Sequence, residues 1–451
     1  WRNFNFALAF LFFCLPAYLI RFHIGSLPTT LLELMIWIIT IIWLSKNLKP
    51  ITHNLKPIIV RHKSLFTAIS LFLLAATISI FTSINTRAAL GEWKAFYVEP
   101  VILFLILITT IQTGYRLQVT GYSKSNDYNP KPITHNLTTN IIIALTLCGL
   151  LTSIFAILQH FTGWLVPEAF WTNQNTFRVT AWYGFPNAVG LFLAPIVPLT
   201  VYLIMQTWQK IRSHKLSAIS HKKRKLTAYG LRLTALITTT FASILAIIFA
   251  HSTGALVALA AGLIFFLFFY NKKARWIAII VSILGIASIL GLSSTSGLRQ
   301  EIFFQDRSGQ LRINMWAETT EFLKAHPIAG AGLASYSQLI KPYRIDKWIE
   351  VFHHPHNIFL TMWVNIGLLG LFSFIWILFW FFKSGFTSKT YNLKPITYNL
   401  SILTSMVIII VMGLVDSPYI KNDLAILFWL LPALLITSRH CEERGTSDEA
   451  I

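Results

Sequence analysis

Twelve apolar segments, each nearly free of charged residues, constrain the fold of this chain more than any other feature of its sequence. As helices, segments of this length cross a hydrocarbon core of about 30 Å. Only 12% of the residues are charged, against about 25% in a soluble chain. The sequence therefore predicts an all-α, polytopic membrane helical bundle with about 12 transmembrane helices. The segments are residues 4–20, 28–44, 64–81, 96–112, 140–160, 186–206, 233–250, 255–270, 276–293, 357–382, 401–415 and 424–438.

The net charge of +20 is distributed unevenly between the two sets of loops. With a cytoplasmic N-terminus, 25 of the 37 Lys and Arg residues fall in cytoplasmic loops, as the positive-inside rule requires. The basic stretch at 210–232 is then a cytoplasmic anchor. We therefore expect a membrane as the partner of these charges and no nucleic acid.

The predicted spans divide the chain around one large extracytoplasmic loop. We expect about four N-terminal membrane helices in 1–139 and the central membrane helices in 140–293. The loop follows at 294–356, and the C-terminal membrane helices at 357–438. Residues 439–451 are polar and mixed in charge, which predicts a disordered cytoplasmic tail.

The large loop contains short helices separated by a turn. Its pattern predicts one helix over 312–325, a break at Pro327, and a turn containing Gly330 and Gly332. A second short helix is expected around 334–341. This loop is the only soluble-domain-sized piece predicted outside the membrane.

Three histidines, His353, His354 and His356, close this loop just before an apolar segment. One interpretation is structural, because Asn357 and His356 stand where an N-cap residue would bind free backbone N–H groups. The other is catalytic, because imidazole titrates near neutral pH and lies here at a water–membrane boundary. Neither a cysteine nor an H-E-x-x-H pattern accompanies the histidines, so we predict no metal and no cofactor.

Two arginines in predicted outer loops are candidates for binding an anion. Arg178 is the single basic residue of its outer loop, and Arg312 lies in the large loop. The planar guanidinium binds two phosphate oxygens at once and stays charged. An arginine beside aromatic residues is also a common interface anchor, so both interpretations of Arg178 stay open.

The order of these motifs resembles the O-antigen ligase family, which includes O-antigen polymerases and protein O-oligosaccharyltransferases. The resemblance rests on RINMW (312–316), HPIAGAGLASY (326–336) and HPHNIFL followed by GLLGL (354–371). YGFPNAVGLFL (183–193) is similar to an earlier Pro-Asn helix start of the family. The resemblance covers roughly 145–415 and is specific over 312–371.

The resemblance implies a metal-independent, inverting glycosyltransferase of the bacterial inner membrane, with its active site extracytoplasmic. The donor would be a glycan on polyprenyl diphosphate, and the acceptor a lipid, glycan or protein hydroxyl. His356 would be the general base with His354 in support. The diphosphate would be bound by Arg312, Arg178 and Arg344. Asn357 and Trp316 would have supporting roles.

The chain departs from the family's pattern at HSTGA (251–255), where members commonly carry Ser-Arg-Gly. Thr253 stands in place of that arginine, which leaves open whether Arg178 or Arg344 supplies the charge or whether activity is altered or lost. Ligase, polymerase and protein transferase also stay open, as do the sugar, its linkage and the oligomeric state. A lipid-linked glycan flippase is the alternative from another class, although a transporter would carry ionisable groups in several spans.

Overall fold

The computed structural model describes residues 2–25, 27–122, 133–167, 169–173, 177–215, 223–345, 347–348, 350–387 and 395–445. Most of these described residues are helical. The helices are α1 (Arg2–Phe13), α2 (Leu31–Arg61), α3 (Lys63–Phe81), α4 (Thr86–Glu92), α5 (Glu99–Tyr122), α6 (Ile133–Thr162), α7 (Ala169–Thr172), α8 (Asn187–Leu193), α9 (Ile196–Lys215), α10 (Lys223–Phe249), α11 (Thr253–Tyr270), α12 (Lys272–Gly291), α13 (Ser296–Ile302), α14 (Arg307–Ala325), α15 (Tyr336–Leu339), α16 (Ile358–Thr387), α17 (Pro395–Gly413) and α18 (Asn422–Gly445).

In the described residues, 8 helical segments are long and apolar enough to cross a membrane. They are 63–81, 86–111, 137–162, 187–213, 226–249, 253–270, 272–291 and 358–387. Four shorter apolar helical segments, within α1, α2, α17 and α18, coincide with the other predicted spans. The chain is a multi-pass membrane protein of helical architecture, as predicted, while the count of twelve and the large outer loop stay predictions.

A two-stranded hairpin is an addition that the all-α prediction did not contain. Strand β1 (Arg21–Ile24) pairs antiparallel with β2 (Leu27–Thr30), in register from Arg21 opposite Thr30. The Thr30 side chain then accepts from the backbone N–H of Glu33, while the Glu33 carboxylate accepts from the N–H of Thr30. This reciprocal capping box begins α2.

The helices pack around a core in which aromatic rings join distant parts of the chain. Helix α3 packs against α16, α5 against α18, and α11 against α17. Phe72 of α3 contacts the rings of Tyr97 and Tyr419. The Tyr419 hydroxyl donates to the Phe96 carbonyl at 2.8 Å and accepts from the Trp429 indole at 2.9 Å. These bonds fix the loop between α17 and α18 onto the core.

Helix α14 begins earlier than the predicted 312–325. The Asp306 carboxylate accepts from the backbone N–H groups of Ser308 and Gly309, both at 3.1 Å, and caps the helix at Arg307. Carboxylates are among the preferred caps because they satisfy N–H groups that have no partner within the helix. Arg312 therefore lies in the second turn of α14 and not at its start.

The predicted glycine turn inserts into a break in α16, which the sequence pattern did not reveal. The helix loses its regular dihedral angles at Gly367. There, the Leu368 N–H donates to the Ile328 carbonyl at 2.9 Å, and the Ala331 N–H donates to the Val364 carbonyl at 2.7 Å. Non-helical backbone within an apolar bundle requires such replacement bonds, because lipid offers none.

The C-terminal helix is longer than predicted. Helix α18 continues to Gly445, so residues 439–445 are helical where a disordered tail was expected. Residues 446–451 lie outside the described part of the chain. The other proposed domain boundaries stay predictions.

Candidate active site

A cleft of about 570 Å³ lies where five elements meet. Its walls come from the starts of α8 and α11, from α13 and α14, and from the end of α17 with the loop after it. Arg178, Arg312 and Asp416 all line it. Its remaining wall mixes apolar side chains, among them Leu191 and Val257, with the carboxylates of Glu301 and Asp306. Such a mixture suits a ligand that is charged at one end and apolar at the other.

Arg178 is held by three acceptors. Its Nε donates to the Ala250 carbonyl at 2.8 Å, and its Nη2 donates to the His251 carbonyl and to Asn187 Oδ1, both at 2.9 Å. The guanidinium also lies 5.3 Å from the ring centroid of Trp171. His251 has a φ of +47°, so the turn that presents these carbonyls is in the left-handed region, where side chains are strained.

Arg312 reaches the same cleft from α14. Its Nε donates to the Val415 carbonyl at 2.9 Å, and its Nη1 donates to Ser308 Oγ at 2.9 Å. Burial is the main reason that the pKa of Arg178 is lowered to about 10, and the positive charge of Arg312 lowers it further. Arg178 therefore remains cationic at neutral pH. In the described residues no salt bridge joins either guanidinium to a carboxylate, while the Glu301 carboxylate in the same cleft acts to raise the pKa of Arg178.

His356 pairs with an acidic residue from the loop between α17 and α18. Its Nδ1 lies 3.1 Å from Oδ1 of Asp416. Asp416 is 7% exposed, and its Oδ1 also accepts from the backbone N–H of Ser417 at 2.8 Å. Burial raises the pKa of Asp416, but the neighbouring imidazoles of His356 and His354 outweigh it and leave the pKa below its usual range. The carboxylate therefore stays ionised.

Asn187 connects the arginine to this pair. Its Oδ1 accepts from Arg178, while its Nδ2 donates to Asp416 Oδ2 at 3.3 Å. A continuous chain of hydrogen bonds thus runs from Arg178 through Asn187 and Asp416 to His356. Asn187 is the asparagine of the Pro-Asn helix start quoted above, and it lies in the first turn of α8.

The other predicted supporting residues hold the histidine segment in place. The Trp316 indole donates to the Pro355 carbonyl at 3.0 Å. Asn357 caps α16, since its Oδ1 accepts from the N–H groups of Phe359 and Leu360, and its Nδ2 donates to the Leu414 carbonyl. Asn357 thus has the capping role that the sequence left open, and it also ties α16 to the Asp416 loop.

His354 adjoins the pair, and Arg344 lies elsewhere. The His354 ring centroid is 5.1 Å from that of His356. Burial, then the charge of His356, lowers the pKa of His354 well below its ordinary value, so this imidazole is neutral at pH 7.

Arg344 lines a small separate depression beside Glu318 on another side of α14. The structure therefore does not bring Arg344 into the cleft, and its predicted role stays untested.

Of two further residues at the site, the sequence analysis singled out Thr253 and missed Asp416. Thr253, which replaces the family's usual arginine, lines the cleft that holds Arg178 and Arg312. Asp416 was missed, because one acid in the short loop LVDSPYIK (414–421) carries no motif of its own. The signal was its position: it is a charged residue beside two apolar segments, where ionisable groups are costly and commonly functional.

The fold and this cleft define a polytopic membrane protein in which two arginines line a cleft beside a His–Asp pair. Residues 238–375 match the family model described as O-antigen ligase, which confirms the resemblance over its most specific part. Through this region the chain is similar to the O-antigen ligase family. The match contains Arg312, His354 and His356, whereas Arg178 and Asp416 lie outside it.

A curated relative from Rickettsia conorii, whose provisional name is polysaccharide ligase, is similar to part of this chain. The two are 31% identical over 94 residues. This segment is 19% of the chain and spans 23% of the length of the relative. The likeness agrees with the family assignment and leaves the activity of the whole chain to be inferred from its site.

Proposed function

We propose that this chain is a glycosyltransferase of the bacterial inner membrane, acting at the outer face. It would transfer a glycan from a polyprenyl-diphosphate donor to an acceptor hydroxyl, as an O-antigen ligase does. One observation carries the proposal. The consecutive residues Val415 and Asp416, which line the cleft, bind Arg312 and His356, so the proposed phosphate-binding cation and the proposed base are held by neighbouring residues.

The two arginines would stabilise the leaving diphosphate. When the sugar–phosphate bond breaks, its electron pair passes to a diphosphate oxygen and negative charge develops there. Preorganised cations in a partly buried cleft stabilise such developing charge most effectively. Arg178 and Arg312 are held mainly by neutral carbonyl, amide and hydroxyl oxygens, which fix their orientation without neutralising their charge.

His356 would remove the proton of the incoming hydroxyl. The bond from Nδ1 to Asp416 directs its other ring nitrogen, Nε2, away from the carboxylate. As the acceptor oxygen forms its bond to the anomeric carbon, its proton passes to Nε2, and the ionised Asp416 stabilises the resulting imidazolium. Attack opposite the departing diphosphate inverts the anomeric centre. Neither a metal nor a cofactor enters this step.

The decisive experiment compares His356→Ala with His353→Ala in a deletion strain. His353 is an exposed neighbour with the same side chain outside the His–Asp pair. We expect His356→Ala to abolish glycan transfer at unchanged membrane abundance, while His353→Ala restores it fully. Normal transfer by His356→Ala would refute the base assignment.

The glycan profile of the deletion strain separates the members of the family. Loss of all long chains from the lipid anchor indicates a ligase, single-unit caps indicate a polymerase, and unglycosylated secreted proteins indicate a protein O-oligosaccharyltransferase. Accumulation of donor on the inner leaflet would instead favour a flippase.

A further inference from the structure

We propose that His354, His356 and Asp416 form a binding site for one divalent transition-metal ion of the zinc type. The nitrogen and oxygen atoms that these residues offer all lie within 4.8 Å of one another. Two imidazoles and one carboxylate are a common donor set for Zn²⁺ with an open fourth position. The histidine segment alone predicts no metal, because Asp416 lies sixty positions beyond His356.

The spacing of the central pair fits a shared ion. In a tetrahedral zinc site, ligand atoms about 2.0–2.1 Å from the ion are roughly 3.3 Å from each other. Nδ1 of His356 and Oδ1 of Asp416 are 3.1 Å apart. An ion would therefore replace the hydrogen bond with almost no movement of either residue. The ligand atom of the half-buried His354 lies within 4.8 Å of both.

The surroundings hold the three ligands in place. The carboxylate of Asp416 accepts from the Ser417 N–H and from Asn187, which fixes its plane. The Trp316 indole binds the carbonyl of Pro355, the residue between the two histidines. Outer partners of this kind orient metal ligands and commonly raise affinity by about 10–100-fold.

Metal binding would switch the site off, a consequence that rests on the proposed function. If the ion binds Nδ1 of His356, the neutral imidazole keeps its proton on Nε2 and has no free lone pair for the acceptor. If the ion binds Nε2, that lone pair is already used. In both cases His356 no longer acts as a base, so a bound metal inhibits the transfer reaction.

The test measures binding directly on the purified full chain without a polyhistidine tag. Co²⁺ serves as the spectroscopic probe and Zn²⁺ as its competitor. We expect one Co²⁺ per chain, with visible absorption typical of tetrahedral coordination, displaced by Zn²⁺. His354→Gln and Asp416→Asn should each weaken binding by at least about tenfold, and His353→Gln should leave it unchanged.

Absence of stoichiometric Co²⁺ binding, or equal binding by His354→Gln and the unaltered chain in monodisperse samples, overturns the metal site. A transfer assay with added Zn²⁺ distinguishes failure of the metal site from failure of the proposed function. Transfer that is insensitive to Zn²⁺ supports the function and refutes the inhibitory site. Co²⁺ binding that depends on His354, in a chain with no transfer activity, supports the site and refutes the function.

Discussion

Nδ1 of His356 lies 3.1 Å from Oδ1 of Asp416, although sixty positions separate the two residues along the chain. His356 belongs to the segment before α16, and Asp416 to the loop before α18. Asn357 binds the Leu414 carbonyl and Thr361 binds Ser417. The start of α16 is therefore bound to the loop both before and after Asp416. The pair is therefore a fixed part of the fold.

Asp416→Asn should reduce glycan transfer by about 10²–10⁴-fold, the range typical of lost acid–base assistance. The amide retains the shape of the side chain but cannot stabilise an imidazolium. Initial rates with purified donor and acceptor provide the measurement. Glu321→Gln on α14 is the control, because Glu321 forms an exposed ion pair with Lys324 away from the cleft. An Asp416→Asn rate within twofold of that control would contradict the role of the pair.

Arg312→Lys should lower kcat/KM by about tenfold or more, because a point charge cannot reproduce the planar fork that binds two phosphate oxygens. The lysine also loses the bond from Nε to the Val415 carbonyl. Steady-state kinetics with the lipid-linked donor measure the effect. Arg307→Lys is the matched control, because Arg307 is exposed on the same helix. Equal kinetics for the two variants would argue against diphosphate binding by Arg312.

Thr253→Arg should tighten inhibition by inorganic pyrophosphate by about tenfold, the effect of one further charge-assisted hydrogen bond. Thr253 lines the cleft with Arg178 and Arg312, and the resemblance to the ligase family implies an arginine at this position. Competition assays with pyrophosphate measure the change, and Thr253→Gln controls for the size of the side chain. If the glutamine variant shows the same gain, charge is not its cause.

Gly330→Ala should destabilise the protein by about 3 kcal/mol. Gly330 has a φ of +64°, and an added Cβ would clash with the carbonyl oxygens of Trp363 and Val364. The turn would then leave the break in α16. Thermal unfolding in detergent reports the loss. Gly285→Ala in α12, where a Cβ meets open space, should be neutral or stabilising, and a similar effect of both substitutions would refute the argument.

The helical membrane architecture and part of the candidate site could be predicted from the sequence. Apolar segments of spanning length and their flanking charges determine helices and their alternation, because each helix satisfies its own backbone hydrogen bonds in lipid. Arg178, Arg312, His354 and His356 were found because guanidinium and imidazole at a predicted interface are chemically conspicuous. Arg344 was selected by the same reasoning, yet it lies outside the cleft.

Tertiary structure alone decided which of these groups meet. Asp416 acquires its significance from its distance to His356, and Asn187 from lying between Arg178 and Asp416. Likewise, the break at Gly367 depends on a turn that supplies hydrogen bonds from another part of the chain. Helix formation is local and can be read from short segments, whereas contacts between segments depend on packing that involves the whole bundle. The sequence by itself determined a many-helix membrane chain, and the packing of α8, α14, α16 and α17 assembled the site.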